Sequence, residues 1–306
     1  MALDFSELDR VIEETGCTCL FDEPMSKHTT FRIGGPADRF LTVESKEQLA
    51  GFLSVLESAK IPWQVLGNGS NLLVSDKGIR GAVLTLGGNF AEIELLPDGK
   101  TVRAGAAVML SSLCAFARDK GLSGLEFAWG IPGSVGGAAY MNAGAYGGEM
   151  KDVIQSVTHL TPEGEIVTLP AAELELSYRH SRYTGRQDII LWVEYGLRPG
   201  EVSEIAGKMN EQMERRKAKQ PYDMPSAGSI FKRPVNGFAA AIIEECGLKG
   251  KQIGGAQVSP KHAGFIVNTG EATCEDVLEL IKEIRKTVKE QTGTELECEV
   301  CVIGER

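Results

Sequence analysis

The sequence predicts an α+β fold in three stretches, and three observations carry that reading. Residues 1–86 mix strand and helix periodicities, residues 87–200 are strand-rich and hold a glycine cluster, and residues 201–291 are dominated by helical periodicity. With 306 residues, 42% of them hydrophobic, the chain is long enough for a sizeable core and about two domains.

In the first stretch, Ser45 to Ala59 reads as a helix. Ser45 and Gln48 form a capping box, and Leu49, Phe52, Leu53 and Leu56 fall on one stripe. Pro62 to Leu66 and Ala82 to Leu86 read as strands. In the second stretch, Val153 to Leu160 and Glu165 to Leu169 read as a hairpin across Thr-Pro-Glu-Gly, and Ile189 to Leu197 as a further strand. In the third, Ser203 to Lys217 reads as a charged helix and Gly237 to Cys246 as a short apolar one with Gly247 at C′. Thr273 caps a longer helix whose Val277, Leu280, Ile281, Ile284 and Val288 share a face. Glu297 to Ile303 reads as the last strand.

The net charge of −10 argues against a nucleic-acid or anionic-membrane partner, because phosphate attraction needs a cationic surface. No apolar run approaches the ~20 residues of a membrane span. Residues 1–16 carry Asp4, Glu7, Asp9, Glu13 and Glu14 and lack the basic and apolar regions of a secretory signal. The expected location is the cytoplasm. Seven cysteines, an odd number, suit reduced thiols there. Cys298-x-x-Cys301 has half the spacing of a zinc ribbon, but on a strand the two thiols would face opposite ways, so no metal is expected.

Two segments are built to bring backbone close to phosphates: Gly67-Asn68-Gly69-Ser70-Asn71 after a strand, and Gly130-Ile131-Pro132-Gly133-Ser134-Val135-Gly136-Gly137. The second continues through Asn142, Gly144, Ala145 and Tyr146. Glycine N–H groups can ring an anion, and Ser70, Asn71 and Ser134 add side-chain donors. Each loop alone reads equally well as a tight turn. Together they indicate a phosphate or pyrophosphate site that is neither a Walker loop nor a dinucleotide βαβ fingerprint.

These loops resemble the FAD loops of the vanillyl-alcohol-oxidase type of flavoprotein fold. More narrowly, with their landmarks in order from Lys27-His-Thr-Thr-Phe-Arg-Ile-Gly-Gly to Glu299-Val-Cys-Val-Ile-Gly, they resemble the UDP-N-acetylenolpyruvoylglucosamine reductase family. The resemblance implies two α+β FAD-binding subdomains, 1–86 (to which 292–306 return) and 87–200. A C-terminal α+β substrate-binding domain, 201–291, completes it. It further implies FAD, held non-covalently because the first loop lacks the flavin-linking histidine of many oxidases, and NADPH as hydride donor. The cofactor contacts it implies are Gly67, Asn68, Gly69, Ser70, Asn71, Ile131, Pro132, Gly133, Ser134, Gly137, Asn142, Gly144, Ala145 and Tyr146.

Tyr178-Arg179-His180-Ser181-Arg182-Tyr183 is rich in groups that suit a carboxylate or phosphate, although as a bare pattern it also fits a solvated edge strand. The resemblance places the family's catalytic arginine at Arg179, with Tyr178 beside the substrate. In Pro225 to Pro234, Ser229 reads from the residues alone as a helix cap or turn serine. The family's Ala-Gly-Ser-x-Phe-Lys motif makes it the proton donor, with Lys232 nearby. Glu299 matches the family's catalytic glutamate, and a carboxylic acid in apolar company suits proton handling. Between Arg215 and Lys261 nine cations stand against three acids, which would attract a diphosphate and a carboxylate. Lys219 and His262 fall at substrate-side positions of the family.

Two departures point to the family's shorter, lid-less class. Cys301 stands where the longer class has an arginine, and the interval from Arg179 to Lys219 is short. The implied partners are UDP-N-acetylenolpyruvoylglucosamine and NADPH, with the protein a monomer or weak homo-oligomer. Two alternatives are an FAD-dependent sugar or alcohol oxidase on the same fold and a non-catalytic nucleotide-binding module.

Overall fold

The structure, a computed structural model, describes residues 3–306. By contacts the chain divides into two compact units. The first comprises the chain up to Leu20 with Phe40–Asn68 and Ala82–Arg215. The second comprises Phe21–Arg39, Gly69–Gly81 and Arg216–Arg306.

In the first unit, helices α1 (Ser6–Thr15) and α2 (Lys46–Ser58) bury Leu8, Ile12, Leu49, Phe52 and Leu56 against Leu41, Val43, Ala82 and Leu84. The Ser45 side chain accepts from the Gln48 N–H, as the capping signal requires. Gln48, however, returns its side chain to the N–H of Glu44, one residue before the expected partner. The strand Trp63–Leu66 runs parallel to Ile79–Leu86, with Trp63 opposite Ala82, and delivers the chain to the first glycine loop. Continuous burial along residues 81–84 is what a strand in a covered parallel pair needs.

The same unit holds a five-stranded antiparallel sheet in the order Ile166–Pro170, Ile154–Leu160, Ile189–Gly196, Thr101–Gly105, Ile93–Leu95. The hairpin read from Thr-Pro-Glu-Gly is its edge, with Val157 opposite Leu169. Helices α3 (Leu110–Asp119) and α4 (Val135–Tyr140) contribute Leu113, Ala117, Val135, Ala138 and Ala139 to a core with Val102, Val157, Val193 and Tyr195. The second glycine loop is therefore the lead-in to α4, fixed by a helix packed on a sheet.

Helix α5 (Val202–Lys219) carries the chain from the first unit to the second. The second unit is built on a four-stranded antiparallel sheet in the order Ser226–Ser229, Phe265–Asn268, Ala256–Val258, Gln252–Ile253. Helices α6 (Ala239–Glu245) and α7 (Cys274–Thr292) complete it. The expected stripe of α7, Val277, Leu280, Ile281, Ile284 and Val288, is buried with Ile243, Val258 and Ile266. Thr273 caps α7 through the Asp276 N–H, Asp276 returns the bond, and the Asp76 carboxylate accepts from the N–H groups of Cys274 and Glu275. Gly247 follows α6 at φ +72°, the left-handed conformation that ends helices.

The last strand is shorter than its sequence predicts. Only Cys301–Ile303 form it, parallel to Leu72–Val74. Residues 297–300 spend their backbone groups elsewhere. The Lys232 N–H donates to the Glu297 carbonyl, Cys298 bridges Phe231, and the Glu299 N–H donates to the Ile230 carbonyl. The chain changes partner midway, so no continuous ladder forms, and Glu299 does not share a strand face with Cys301 and Ile303. The cysteines are free thiols, and no group of three or more His, Cys, Asp or Glu able to hold a metal occurs among the described residues.

Candidate active site

The expected site residues fall into two sets, one in each unit. In the first unit the two glycine loops meet. The Asn68 side chain donates to the Pro132 carbonyl at 2.8 Å, and a Cβ on Gly67 would lie 2.7 Å from the Ser134 hydroxyl. Only glycine permits that approach. Ser134 is itself buried as the N-cap of α4, its oxygen accepting from the Gly137 N–H at 3.3 Å. Ile131 is half-buried and Pro132 exposed, while Gly133 accepts from the Leu110 N–H and is buried. Farther along, Gly144–Ala145 and Gly148–Glu149 form a hairpin with Ala145 opposite Gly148. Tyr146 and Gly147 make its two-residue turn at φ +52° and +85°, the primed geometry that hairpins favour. The Arg215 guanidinium lies 5.2 Å from the centre of the Tyr146 ring.

Arg179 sits in the same unit, at the tip of a tight turn rather than along an edge strand. Ser177 and His180 exchange both backbone hydrogen bonds, at 3.1 and 3.2 Å, leaving Tyr178 and Arg179 as the two central residues. Arg179 has φ +53°, a conformation that costs a residue with a Cβ about 1–2 kcal/mol and must be held by its surroundings. Its guanidinium lies 5.1 Å from the centre of the Tyr178 ring.

Following the turn in sequence, Tyr183 joins a largely buried cluster that sequence reasoning missed, with only Arg186 reaching solvent. The Tyr183 hydroxyl lies 3.2 Å from His159 Nδ1, His159 Nε2 lies 3.4 Å from Asp188, and Arg186 donates to Asp188 at 2.7 Å. Burial lowers the His159 pKa below its ordinary value, with the Asp188 charge opposing, and burial raises that of the Tyr183 phenol. The strand pattern signalled that residue 159 would sit in a sheet, but not that it would be 1% exposed.

In the second unit, the end of the first glycine loop meets the C-terminal segment. Gly69 has φ +60°, and a Cβ there would lie 2.1 Å from the His28 carbonyl oxygen. Ser70 is half-buried. The Asn71 side chain donates to the Glu299 carbonyl at 3.1 Å, and the Cys301 N–H donates to the Asn71 carbonyl at 3.0 Å. Glu299 is thus clamped through both backbone groups, because its N–H also reaches Ile230 at 2.8 Å. Ile230 follows Ser229, so one backbone bond fixes the glutamate next to the serine segment. Ser229 ends its strand after a bulge at Gly228, φ +73°, and is half-buried, its hydroxyl donating to the Phe231 carbonyl at 3.3 Å.

The remaining cations differ in freedom. Lys232 pairs with Glu297 at 2.5 Å, whereas Lys219 is exposed at the end of α5. His262 Nδ1 accepts from the Gly264 N–H at 3.2 Å, which leaves Nε2 to carry the proton of the neutral ring. Burial lowers the His262 pKa, and the ring stands edge-on to Phe265 with centroids 4.9 Å apart.

Comparison with known proteins gives a family match in each half of the chain. Residues 37–170 match the family described as FAD binding domain, and residues 220–303 match that described as UDP-N-acetylenolpyruvoylglucosamine reductase, C-terminal domain. Physcomitrella patens BBE-like 1, at 15% identity and a TM-score of 0.50 over 95% of this chain and 62% of its own, shares the fold. The fold and the paired glycine loops therefore define an FAD-binding flavoprotein of the vanillyl-alcohol-oxidase type. The UDP-N-acetylenolpyruvoylglucosamine reductase of Agathobacter rectalis is 49% identical over 296 residues, 94% of each chain. The UDP-N-acetylenolpyruvylglucosamine reductase structure from Thermus caldophilus superimposes with a TM-score of 0.79 at 37% identity, over 94% of this chain and 98% of that one. The chain belongs to the UDP-N-acetylenolpyruvoylglucosamine reductase family.

Proposed function

We propose that this flavoenzyme reduces UDP-N-acetylenolpyruvoylglucosamine to UDP-N-acetylmuramate at the expense of NADPH, in peptidoglycan precursor synthesis, with Arg179, Ser229 and Glu299 as its catalytic groups. The observation that carries the reading is the presence in one chain of both an FAD-binding domain and the C-terminal domain characteristic of this reductase family.

The residues present fit FAD. A Cβ at Gly67 would crowd the Ser134 hydroxyl of the second loop and one at Gly69 the His28 carbonyl, so the first loop packs closely on both sides and the loops offer N–H groups and short polar side chains. Gly67 to Asn71 and Ile131 to Gly137 would hold the pyrophosphate, and Gly144 to Tyr146 would flank it. The absence of histidine from the first loop supports non-covalent attachment. Bound there, FAD would supply the hydride chemistry that carries reducing equivalents from NADPH to C3 of the enolpyruvyl group.

The chain's own groups handle the charge and the proton. The Arg179 guanidinium binds the substrate carboxylate and stabilises the negative charge that grows at C2 as C3 gains hydride. The left-handed turn presents it before substrate arrives, so little reorganisation remains. The Ser229 hydroxyl protonates C2, which completes the saturated lactyl ether. Serine is a weak acid, so the basicity of the enolate drives this transfer. Glu299, clamped by Asn71 and Ile230 and acting in its protonated form, donates a hydrogen bond to the same developing charge. Lys219, Lys232, His262 and Tyr178 line the substrate side. Lys232 would exchange Glu297 for a substrate phosphate.

Residues 1–86 with 292–306 and residues 87–200 serve mainly FAD, with Tyr178, Arg179 and Glu299 also meeting substrate, and residues 201–291 serve substrate. The free thiols support a cytoplasmic location and the negative charge the expectation of no nucleic-acid partner; a monomer or weak homo-oligomer remains the expected state. No helix among the described residues is long and apolar enough to cross a membrane.

The test is an anaerobic visible spectrum of the purified protein, taken after NADPH and then after the enolpyruvyl substrate. Bleaching by NADPH and recovery only with the substrate supports the reading. Bleaching without recovery keeps the flavoprotein and rejects the substrate. Fast recovery in air alone would favour an oxidase.

A further inference from the structure

Asn142 lies in the continuation of the second glycine loop, two residues past α4, yet it is 0% exposed. Its carboxamide is committed to protein groups. Nδ2 donates to the Ser177 carbonyl at 2.9 Å and to Glu149 Oε2 at 2.7 Å, and Oδ1 accepts from the Lys151 N–H at 2.8 Å. Ser177 is the first foot of the turn that carries Arg179. Just beyond the second foot, the Ser181 hydroxyl, also 0% exposed, donates to the Tyr140 carbonyl at 2.7 Å. Residues 140 and 142 therefore grip residues 181 and 177, one bond on each side of the turn.

We propose that Asn142 is a positioning residue, which with Ser181 holds the Arg179 turn in its left-handed conformation and seats it on the cofactor loop. The inference rests on the catalytic role proposed above for Arg179. Three features carry it. Two of the bonds end on the carbonyls of Ser177 and Tyr140, so they fix backbone rather than side chains. Both anchoring side chains are fully buried, where a hydrogen bond resists competition from water. The turn they hold contains a non-glycine residue at φ +53°, which relaxes when its supports are removed. The asparagine itself has φ +42°, a conformation asparagine tolerates better than other residues with a Cβ. A buried carboxamide at that backbone angle, directly after a helix, thus ties the flavin loop to the group that receives the substrate carboxylate.

The variant Asn142→Gly tests this, because glycine accepts the same backbone angle and removes only the carboxamide. Asn142 belongs to the cofactor loop, so some loss of FAD is expected in this variant; in Ser181→Ala, outside that loop, FAD content and the rate of flavin reduction by NADPH should stay within about twofold of wild type. Reoxidation by the enolpyruvyl substrate should slow at least roughly tenfold. Ser181→Ala, which leaves the left-handed residues untouched, should act in the same direction if Asn142→Gly yields no folded protein. A double-mutant cycle with Arg179→Ala then separates positioning from general damage. When Arg179 is already absent, Asn142→Gly and Ser181→Ala should cost little more in reoxidation rate. Full additivity in that cycle, or loss of FAD as the main effect of Ser181→Ala, would overturn the proposal and leave the role of Arg179 intact. Undiminished reoxidation in Arg179→Ala alone would instead remove the reading on which it rests.

Discussion

The carboxamide of Asn71, in the first glycine loop, donates to the backbone carbonyl of Glu299 at 3.1 Å, although 228 positions separate them in sequence. The bond, with the return bond from the Cys301 N–H to the Asn71 carbonyl, fixes where the glutamate enters its short strand. Asn71→Ala should cost about 1 kcal/mol in stability, the net worth of one such bond. Urea unfolding measures that loss. Stopped-flow reoxidation by the enolpyruvyl substrate should slow more than reduction by NADPH. Equal slowing of the two half-reactions would make Asn71 a cofactor contact and nothing more.

Ser229→Ala removes the proposed proton source and leaves the sheet that carries it intact. It should bind FAD and accept electrons from NADPH at the wild-type rate. Its reduced flavin should be reoxidised by substrate slower by roughly 10²–10⁴-fold, the span of general-acid contributions. Normal reoxidation would exclude the hydroxyl from the mechanism.

Gly69→Ala meets two obstacles at once. The backbone at φ +60° costs an alanine about 1–2 kcal/mol, and its methyl would lie 2.1 Å from the His28 carbonyl oxygen. The protein should lose at least roughly 2 kcal/mol and most of its flavin. The 450 nm absorbance per protein and the urea midpoint check both. Gly147→Ala, with nothing within 4 Å of the new carbon, should show only the smaller conformational cost.

Stability should fall with pH because of His159. Burial holds its pKa below the ordinary 6.5, so on acidification the unfolded chain takes up the proton first. The contribution is fully present above pH 6.5 and is lost as pH falls from there toward the lowered native value. The urea midpoint should therefore decline as pH falls below about 6.5. His159→Gln should flatten that slope in part, with the remainder coming from His262, which burial shifts the same way. An unchanged slope would show that the imidazole charges freely in the native state.

Much of this molecule was legible in its residues because local signals agreed with tertiary need. The stripe Val277, Leu280, Ile281, Ile284, Val288 and the Thr273 cap define α7 in sequence and in structure alike. The Thr-Pro-Glu-Gly hairpin behaves the same way, because turn chemistry and alternation point to one register. Residues 297–300 were misread as strand because their alternation is real but their partners change from Ile230 and Lys232 to Asn71, and pairing is not written locally. The Arg179 turn was not legible either. No glycine marks its left-handed position, and its supports, Asn142 and Ser181, lie at sequence distances of 35 and 41 from the groups they bind. The His159–Asp188 contact was hidden for the same reason, since burial of a polar side chain depends on what folds over it.

The parallel pairing of Leu72–Val74 with Cys301–Ile303 has a consequence for biosynthesis. Translation proceeds from the N-terminus, so the strand after the first glycine loop is made well before the partner with which it pairs. Glu299 can take its place only after that later partner has been made. A nascent chain can therefore fold its interior helices and hairpins in order, whereas the segment that carries the proposed glutamate is fixed only once this long-range pairing forms.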